Sequence, residues 1–302
     1  MNPAVSPRVR SAIAAILVVG ICCTVAAPVA TAQLERQRAN PGGPVGELFW
    51  APTLITTSTV TNLNGGDLNF SIIHVFGIAT RGVEDLFGLD AAANIRFGLD
   101  YGVTDRLSLG FGRSRFERIF DYRFKLNVLR QTRDNRIPVE VAVKGDAAIR
   151  TDRSGFDFVD RLSYLGTVMV ARRFGDRVSV QVSPMYSHLN TVYVESDREG
   201  NVIDRENGHF GVAIAARVVL STRLALTAEY IPVFGPRSDD TVDAVGVGLD
   251  IETGGHVFQL FVTTSQWLTE QHVMARNTDN FFDGDFRFGF NVNRVFGLGG
   301  YE

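Results

Sequence analysis

The chain has 302 residues, is 45% hydrophobic, and carries 30 glycines, 10 prolines and a formal net charge of −3. Such a balance has no basic excess to hold a nucleic-acid backbone, and the length admits either two soluble domains or one large β domain. Past residue 33 no apolar run approaches the ~18 residues of a membrane-crossing helix, so helical spans are excluded.

Arg8 and Arg10 precede an apolar run from Ala12 to Ala27, and Ala30-Thr31-Ala32 then precedes Gln33. A basic start, a short apolar stretch and an A-x-A site predict a secretory signal peptide over 1–32, cut after Ala32. The run is only about 16 residues and ends at Pro28, too short for an anchor. Cys22 and Cys23 leave with the signal, and Ile21 is too large for a lipoprotein site. The mature chain then has no cysteine and needs no disulfide in the oxidising space it enters. Losing two arginines leaves 28 basic residues against 33 acidic ones, a net −5. Residues 33–48, with a Pro-Gly-Gly-Pro break, read as a flexible lead-in. Residues 49–296 read as one β domain and 297–302 as a short tail.

Beyond the lead-in the hydrophobic period is two. In "ANIRFGLDY" (93–101) Ile95, Phe97, Leu99 and Tyr101 alternate with polar residues and glycine, and "FDYRFKLNV" (120–128) repeats the pattern. Similar strands are expected near 137–150, 161–173, 177–187, 209–219, 223–233, 241–252, 256–266 and 285–296. "TDRLSL" (104–109), "GDRVSV" (175–180) and "STRLAL" (221–226) share a tight turn leading into a strand, and "ETGGH" (252–256) is a fourth. Longer polar connections at 77–91, 151–160, 188–208 and 267–284 alternate with these turns. Short turns on one side and long loops on the other predict an all-β fold: a closed antiparallel transmembrane β-barrel with periplasmic turns and external loops. Twelve strands are expected, with fourteen the next choice. The stretch "TLITTSTVTNL" (53–63) is the difficulty, because counting it as the first wall strand starts the chain at the outer face. Either residues 33–52 cross the lumen or form an extra strand, or 53–63 is not in the wall.

A soluble sandwich would put the apolar series in its core and the charges in water; a membrane barrel reverses this. With the apolar faces outward, Arg96, Arg123, Lys125, Lys144, Arg217 and Arg287 point inward, together with Asp100, Asp121, Glu140, Asp146, Glu229, Asp250 and Glu252. The pattern persists without amphipathic helices, which favours the barrel, and a sheet in lipid must close on itself because an open edge leaves backbone groups unpaired. Phe286, Phe288 and Phe290, with the terminal aromatic Phe296, form a last strand of the kind barrel-assembly machinery reads.

"HVFG" (74–77), "FGLDAAANIRFGLDYGVTDRLSLGFGRS" (87–114), "IETGGHVFQLFVTTS" (251–265) and "FGFNVNRVF" (288–296) resemble a domain-of-unknown-function family of bacterial outer-membrane β-barrels. Where that family often has His-Arg-Phe-Gly, this chain has His74-Val75-Phe76-Gly77. The resemblance implies location and architecture, with the outer-membrane bilayer as the surrounding partner. It brings no activity and no site residue.

The five histidines, His74, His188, His209, His256 and His272, show no metal-ligand spacing, so neither metal nor cofactor is expected. Gly246 and Gly248 recur on one face of a strand, where they leave space for lumen side chains rather than cradle a phosphate. Nearly balanced inward charge fits a salt-bridged, filled lumen or a weakly selective passage. The leading expectation is a small-solute channel or gated pore with a mixed-charge lumen. The alternative is a structural barrel with a filled lumen, whose loops 188–208 and 267–284 hold an envelope protein. A lipid-modifying enzyme is a third, remote alternative: Ser187 adjoins His188 but faces the other way, Ser183 is no better placed, and the chain is read as non-enzymatic.

Overall fold

Alternating apolar and polar side chains suit a pleated strand whose two faces meet different surroundings, and strands form at every alternating segment but one. The computed structural model describes residues 42–152, 155–192, 207–238 and 240–298. The expected signal peptide lies outside these residues. In chain order the strands are β1 (Asp67–Ile78), β2 (Asn94–Gly102), β3 (Leu107–Ser114), β4 (Phe120–Leu129), β5 (Glu140–Ile149), β6 (Leu162–Phe174) and β7 (Val178–Leu189). They continue with β8 (Gly208–Ser221), β9 (Leu224–Ile231), β10 (Val233–Phe234), β11 (Ala244–Glu252), β12 (His256–Thr263) and β13 (Arg287–Gly297). One α-helix, α1 (Glu270–Arg276), interrupts the connection from β12 to β13.

Sequential strands pair antiparallel from β1 to β9, then β9 with β11, β11 with β12 and β12 with β13. The ring closes where β13 meets β1, from Asp67 opposite Gly297 to Val75 opposite Gly289. Twelve strands therefore form a closed barrel, and β10 is an extra pair of residues beside Phe210 and Gly211 of β8. Pro232 separates β10 from β9 because it has no N–H for the ladder. Closure satisfies the edge groups that lipid cannot.

The faces are inverted relative to a water-soluble sheet. Phe97, Leu109, Tyr122, Tyr186, Phe210 and Val247 are each about half exposed on the outer wall, whereas Arg96, Asp121, Gln181, Arg217 and Asp250 are no more than 5% exposed inside. The inner glycines of "LGFG" make this possible: a Cβ on Gly112 would lie 2.0 Å from Arg96 Nη2 and 2.5 Å from Asp121 Oδ2.

The tight turns after β2, β6, β8 and β11 lie at one end of the barrel, with the 130–139 connection. The connections that follow β1, β3, β5, β7, β9 and β12 leave and rejoin the wall at the other. Since β1 starts at Asp67 on the short-turn end, the chain enters the wall from the side that is periplasmic in such barrels. Residues 53–63 are not a wall strand. They lie inside.

Candidate functional site

Residues 44–66 form a hairpin that enters the barrel at the short-turn end and leaves by the same end. Pro44 bridges to Thr132, and Val45 N–H donates to Gln131 O at 2.9 Å, both at that mouth. The chain turns over Leu54–Thr57, where Leu54 N–H donates to Thr57 O at 2.9 Å, and Thr53 bridges back to Ser58. The return leg reaches the mouth where Asn62 Nδ2 donates to Arg106 O at 2.7 Å and Gly65 N–H to Asp105 Oδ1 at 2.9 Å. The expected flexible lead-in over 33–48 is thus corrected at its end: Leu48 is 2% exposed, and 44–48 belong to the first leg. Residues 33–41 lie outside the described residues.

A buried hairpin without sheet partners must satisfy its peptide groups elsewhere, and wall side chains supply them. Glu229 accepts from Thr56 N–H (3.1 Å) and Thr57 N–H (3.0 Å). Gln181 accepts from Val60 N–H at 2.9 Å and donates to Ser58 O at 2.8 Å. Asn291 donates to Leu54 O (3.0 Å) and Ile55 O (3.1 Å). Lys125 donates to Thr59 O (3.1 Å) and Thr61 O (2.5 Å), and Asn127 to Val60 O (2.9 Å). Arg217 donates to Glu47 O at 2.9 Å and lies over the Trp50 ring at 4.9 Å. Burial pushes the Glu47 carboxyl above its ordinary range, against the pull of Arg217. The hairpin's apolar side chains Leu48, Phe49, Leu54 and Val60 pack on the inner-face residues Ala142, Met169, Ala171 and Ala215. Ile55 packs with Ile73, Val75, Phe261 and Leu268.

The 267–284 connection does not stand outside as a partner-binding loop: its first part folds into the barrel. Every residue of α1 is buried. Trp267, Val273 and Met274 pack on inner-wall Ala148, Leu165, Met185, Ala213 and Ile231. Trp267 Nε1 donates to Arg276 O at 2.9 Å, and Arg276 pairs with Glu117 at 2.7 Å. At mid-barrel this inner loop meets the hairpin. Glu270 accepts from Ser58 N–H (2.8 Å) and Ser58 Oγ (3.1 Å) and pairs with Lys144, while Gln271 donates to Asp146 at 3.0 Å. The other loop expected to hold a partner, 188–208, falls mostly outside the described residues.

Most of the predicted inward charges meet one another, wall amides or these two inserts, whereas Glu252 lies at the β11–β12 turn, where it accepts from Gly254 N–H at 2.6 Å. Arg96 binds Asp121 through Nε (2.9 Å) and Nη2 (2.6 Å), and Asp121 also takes Arg123 at 2.5 Å. Arg123 reaches Asp100 at 2.7 Å. Lys144 lies 3.7 Å from Asp146; Glu140 accepts from Asn127 at 2.8 Å, and Asp250 from Gln259 at 3.0 Å. Arg287 pairs with Asp279 at 2.5 Å. Gly246 makes room chiefly for the hairpin, since a Cβ there would stand 2.8 Å from Ile55 Cδ1. A cavity of about 20 Å³ remains between hairpin and wall, and another of about 20 Å³ where hairpin, inner loop and wall meet; Arg123 and Lys144 line both. Each has room for about one water.

Asp121→Leu strands Arg96 without its carboxylate, and an uncompensated buried charge costs about 3–5 kcal/mol. The expected result is a clearly lower unfolding temperature of the folded band on unheated electrophoresis. Asp134→Asn, in the exposed 130–139 turn, leaves that temperature unchanged.

Sequence reasoning missed Gln181, Asn291, Asn127 and Glu270 as hairpin partners. The available signal was the inner register of β5–β8, where Ala142, Met169, Ala171, Met185, Ala213 and Ala215 stand in place of charges. Apolar side chains facing a lumen require something to cover them.

Comparison with curated proteins gives no match. Among solved structures the chain resembles the NanC porin (8% identity, 76% of this chain and 98% of that chain, TM-score 0.47). It also resembles an outer membrane channel from Pseudomonas putida F1 (13%, 78% and 98%, 0.48) and LpxR from Salmonella typhimurium (13%, 76% and 99%, 0.35). These distant likenesses carry no argument about activity. Residues 49–296 match the family model described as "Membrane bound beta barrel domain (DUF5777)". With more than half its length matched, the chain belongs to this family of membrane-bound β-barrel domains.

Proposed function

We propose that the protein is a gated conduit for small solutes in the bacterial outer membrane, exported there by its signal peptide, with the N-terminal hairpin as the gate. The state described is its closed state. One observation carries the reading: both legs of the hairpin pass through the same mouth, so it can withdraw without threading past the wall or breaking a strand. Its polar contacts are hydrogen bonds that water can replace, worth about 1 kcal/mol net each to Gln181, Asn127 and Asn291 and about 1.5–3 kcal/mol each to the charged Glu229, Lys125, Arg217 and Glu270. A twelve-stranded wall is intermediate between side-chain-filled and freely open barrels, so an emptied lumen would pass small solutes only. The last strand, with Phe286, Phe288, Phe290 and Phe296, supplies the signal for barrel assembly in this reading.

Planar-bilayer conductance tests it. The full chain is expected to be nearly silent, and a variant lacking residues 44–63 to carry steady current. A deletion variant that runs as a folded barrel yet carries no current overturns the gate.

The inner apolar belts favour a second reading, a permanently filled structural barrel. It predicts silence from both proteins once the inner loop has closed over the vacated space. A lipid-modifying enzyme gains little support. Ser187 stands opposite His209 across the β7–β8 ladder, but both are buried and Ser187 Oγ makes no hydrogen bond.

A further inference from the structure

The wall recognises the hairpin through its main chain. Glu229 spans two successive N–H groups, Asn291 two successive carbonyls, and Gln181 takes one N–H and gives to one C=O. Lys125 and Asn127 add the carbonyls of Thr59, Thr61 and Val60. Their regular succession along a chain is common to every peptide and absent from simple sugars and hydrocarbon tails. The five side chains lie on four different wall strands, β4, β7, β9 and β13, so they stay in place when the hairpin leaves. Emptied, they form a ring of donors and acceptors spaced for an extended or turned polypeptide. Two apolar inner patches beside it suit side chains such as Leu, Ile, Val and Phe.

We propose that the withdrawn-hairpin lumen is a peptide-binding site, and that the solute class of the conduit is a short peptide rich in apolar residues. The resident hairpin occupies the solute's place. This rests on the gated-conduit reading for transport but not for binding. Recognition is set by backbone N–H and C=O groups, so it tolerates changes of sequence that keep apolar content.

The test uses the variant lacking 44–63 and four probes. These are a labelled peptide of residues 44–64, a permuted peptide of the same composition, the 44–64 peptide N-methylated at the positions of Thr56, Thr57, Ser58 and Val60, and maltohexaose. Fluorescence anisotropy reads peptide binding, competition reads the sugar, and bilayer current reads block. Native and permuted peptides are expected to bind within about tenfold of each other, and the N-methylated peptide at least a hundredfold more weakly. Maltohexaose neither competes nor blocks. Gln181→Leu with Asn291→Leu weakens both unmodified peptides more than tenfold. Equal binding by the N-methylated peptide, or complete loss on permutation, overturns the proposal. Should the deletion variant not fold, a full-length chain with a protease site inserted between Asn64 and Gly65 is cut, and exchange of its hairpin for labelled peptide is measured; no exchange overturns the proposal. Binding without current refutes the conduit and leaves the peptide site; current without binding does the reverse.

Discussion

Glu270→Leu is expected to make the full-length protein conduct. Glu270 is the point where the two inserts hold each other: it accepts from Ser58 of the hairpin and pairs with Lys144 of the wall, while its own helix hangs from the opposite mouth. Leucine leaves Lys144 buried with only Asp146, at 3.7 Å, and leaves the Ser58 N–H unpaired. Removing one partner of a buried ion pair costs about 3–5 kcal/mol. At 1.4 kcal/mol per decade, the closed state loses roughly two to three and a half orders of magnitude against any open one. Glu270 makes no backbone ladder hydrogen bond, and withdrawal of the hairpin lets water reach the Lys144 it leaves behind, so the folded band should survive heating nearly as well as the parent. Glu270→Gln, which keeps an acceptor for Ser58 but loses the charge, should fall between. A folded Glu270→Leu barrel as silent as the parent would show that the inserts do not latch through this carboxylate.

The wall was legible because a barrel imposes its physics at every second residue. "FRFGFNVNRVF" shows which side chains face lipid, and the turns at 104–106, 175–177 and 253–255 fix the hairpins. The inward placement of Arg96, Asp121 and Lys144 followed from that register alone. What those charges meet did not follow. "TLITTSTVTNL" has the same period and the same β-branched content as a wall strand, but its backbone is answered by Glu229, Gln181 and Asn291, each more than 100 residues away. Local pattern cannot separate hydrogen bonds to a ladder from hydrogen bonds to distant side chains. Topology could, since a chain entering from the periplasm has to reach β1 from the short-turn end. The inner loop was hidden differently. Its helix has seven residues, too few for a readable period, and Trp267, Val273 and Met274 sit among polar residues that read as solvated. The apolar inner positions of β5–β8 were the legible trace of both inserts.

Acid is expected to loosen the inner loop through His272. Its ring is 4% exposed, stacks on Trp267 at 5.6 Å and shares a 2.7 Å hydrogen bond with Thr269. Burial holds its pKa well below the ordinary 6.5, reinforced by Arg276 on the same helix and Arg150 from the β5–β6 connection. Glu117, Asp160 and Arg161 are the other charged groups around the cavity of about 10 Å³ that it helps to line. The undocked loop takes up a proton near pH 6.5, whereas the docked loop does not. Docking is therefore at full strength above about pH 6.5 and weakens as the pH falls below it, by at most about 1.4 kcal/mol per unit. Trp267 reports this directly, because the chain has two tryptophans and Trp50→Phe removes the other. In that background acrylamide quenching should stay low above about pH 7 and rise steadily toward about pH 5. His272→Gln keeps a polar side chain beside Thr269 without a titrating proton and should flatten the curve. Quenching that rises equally in both proteins would show that the acid response does not run through His272.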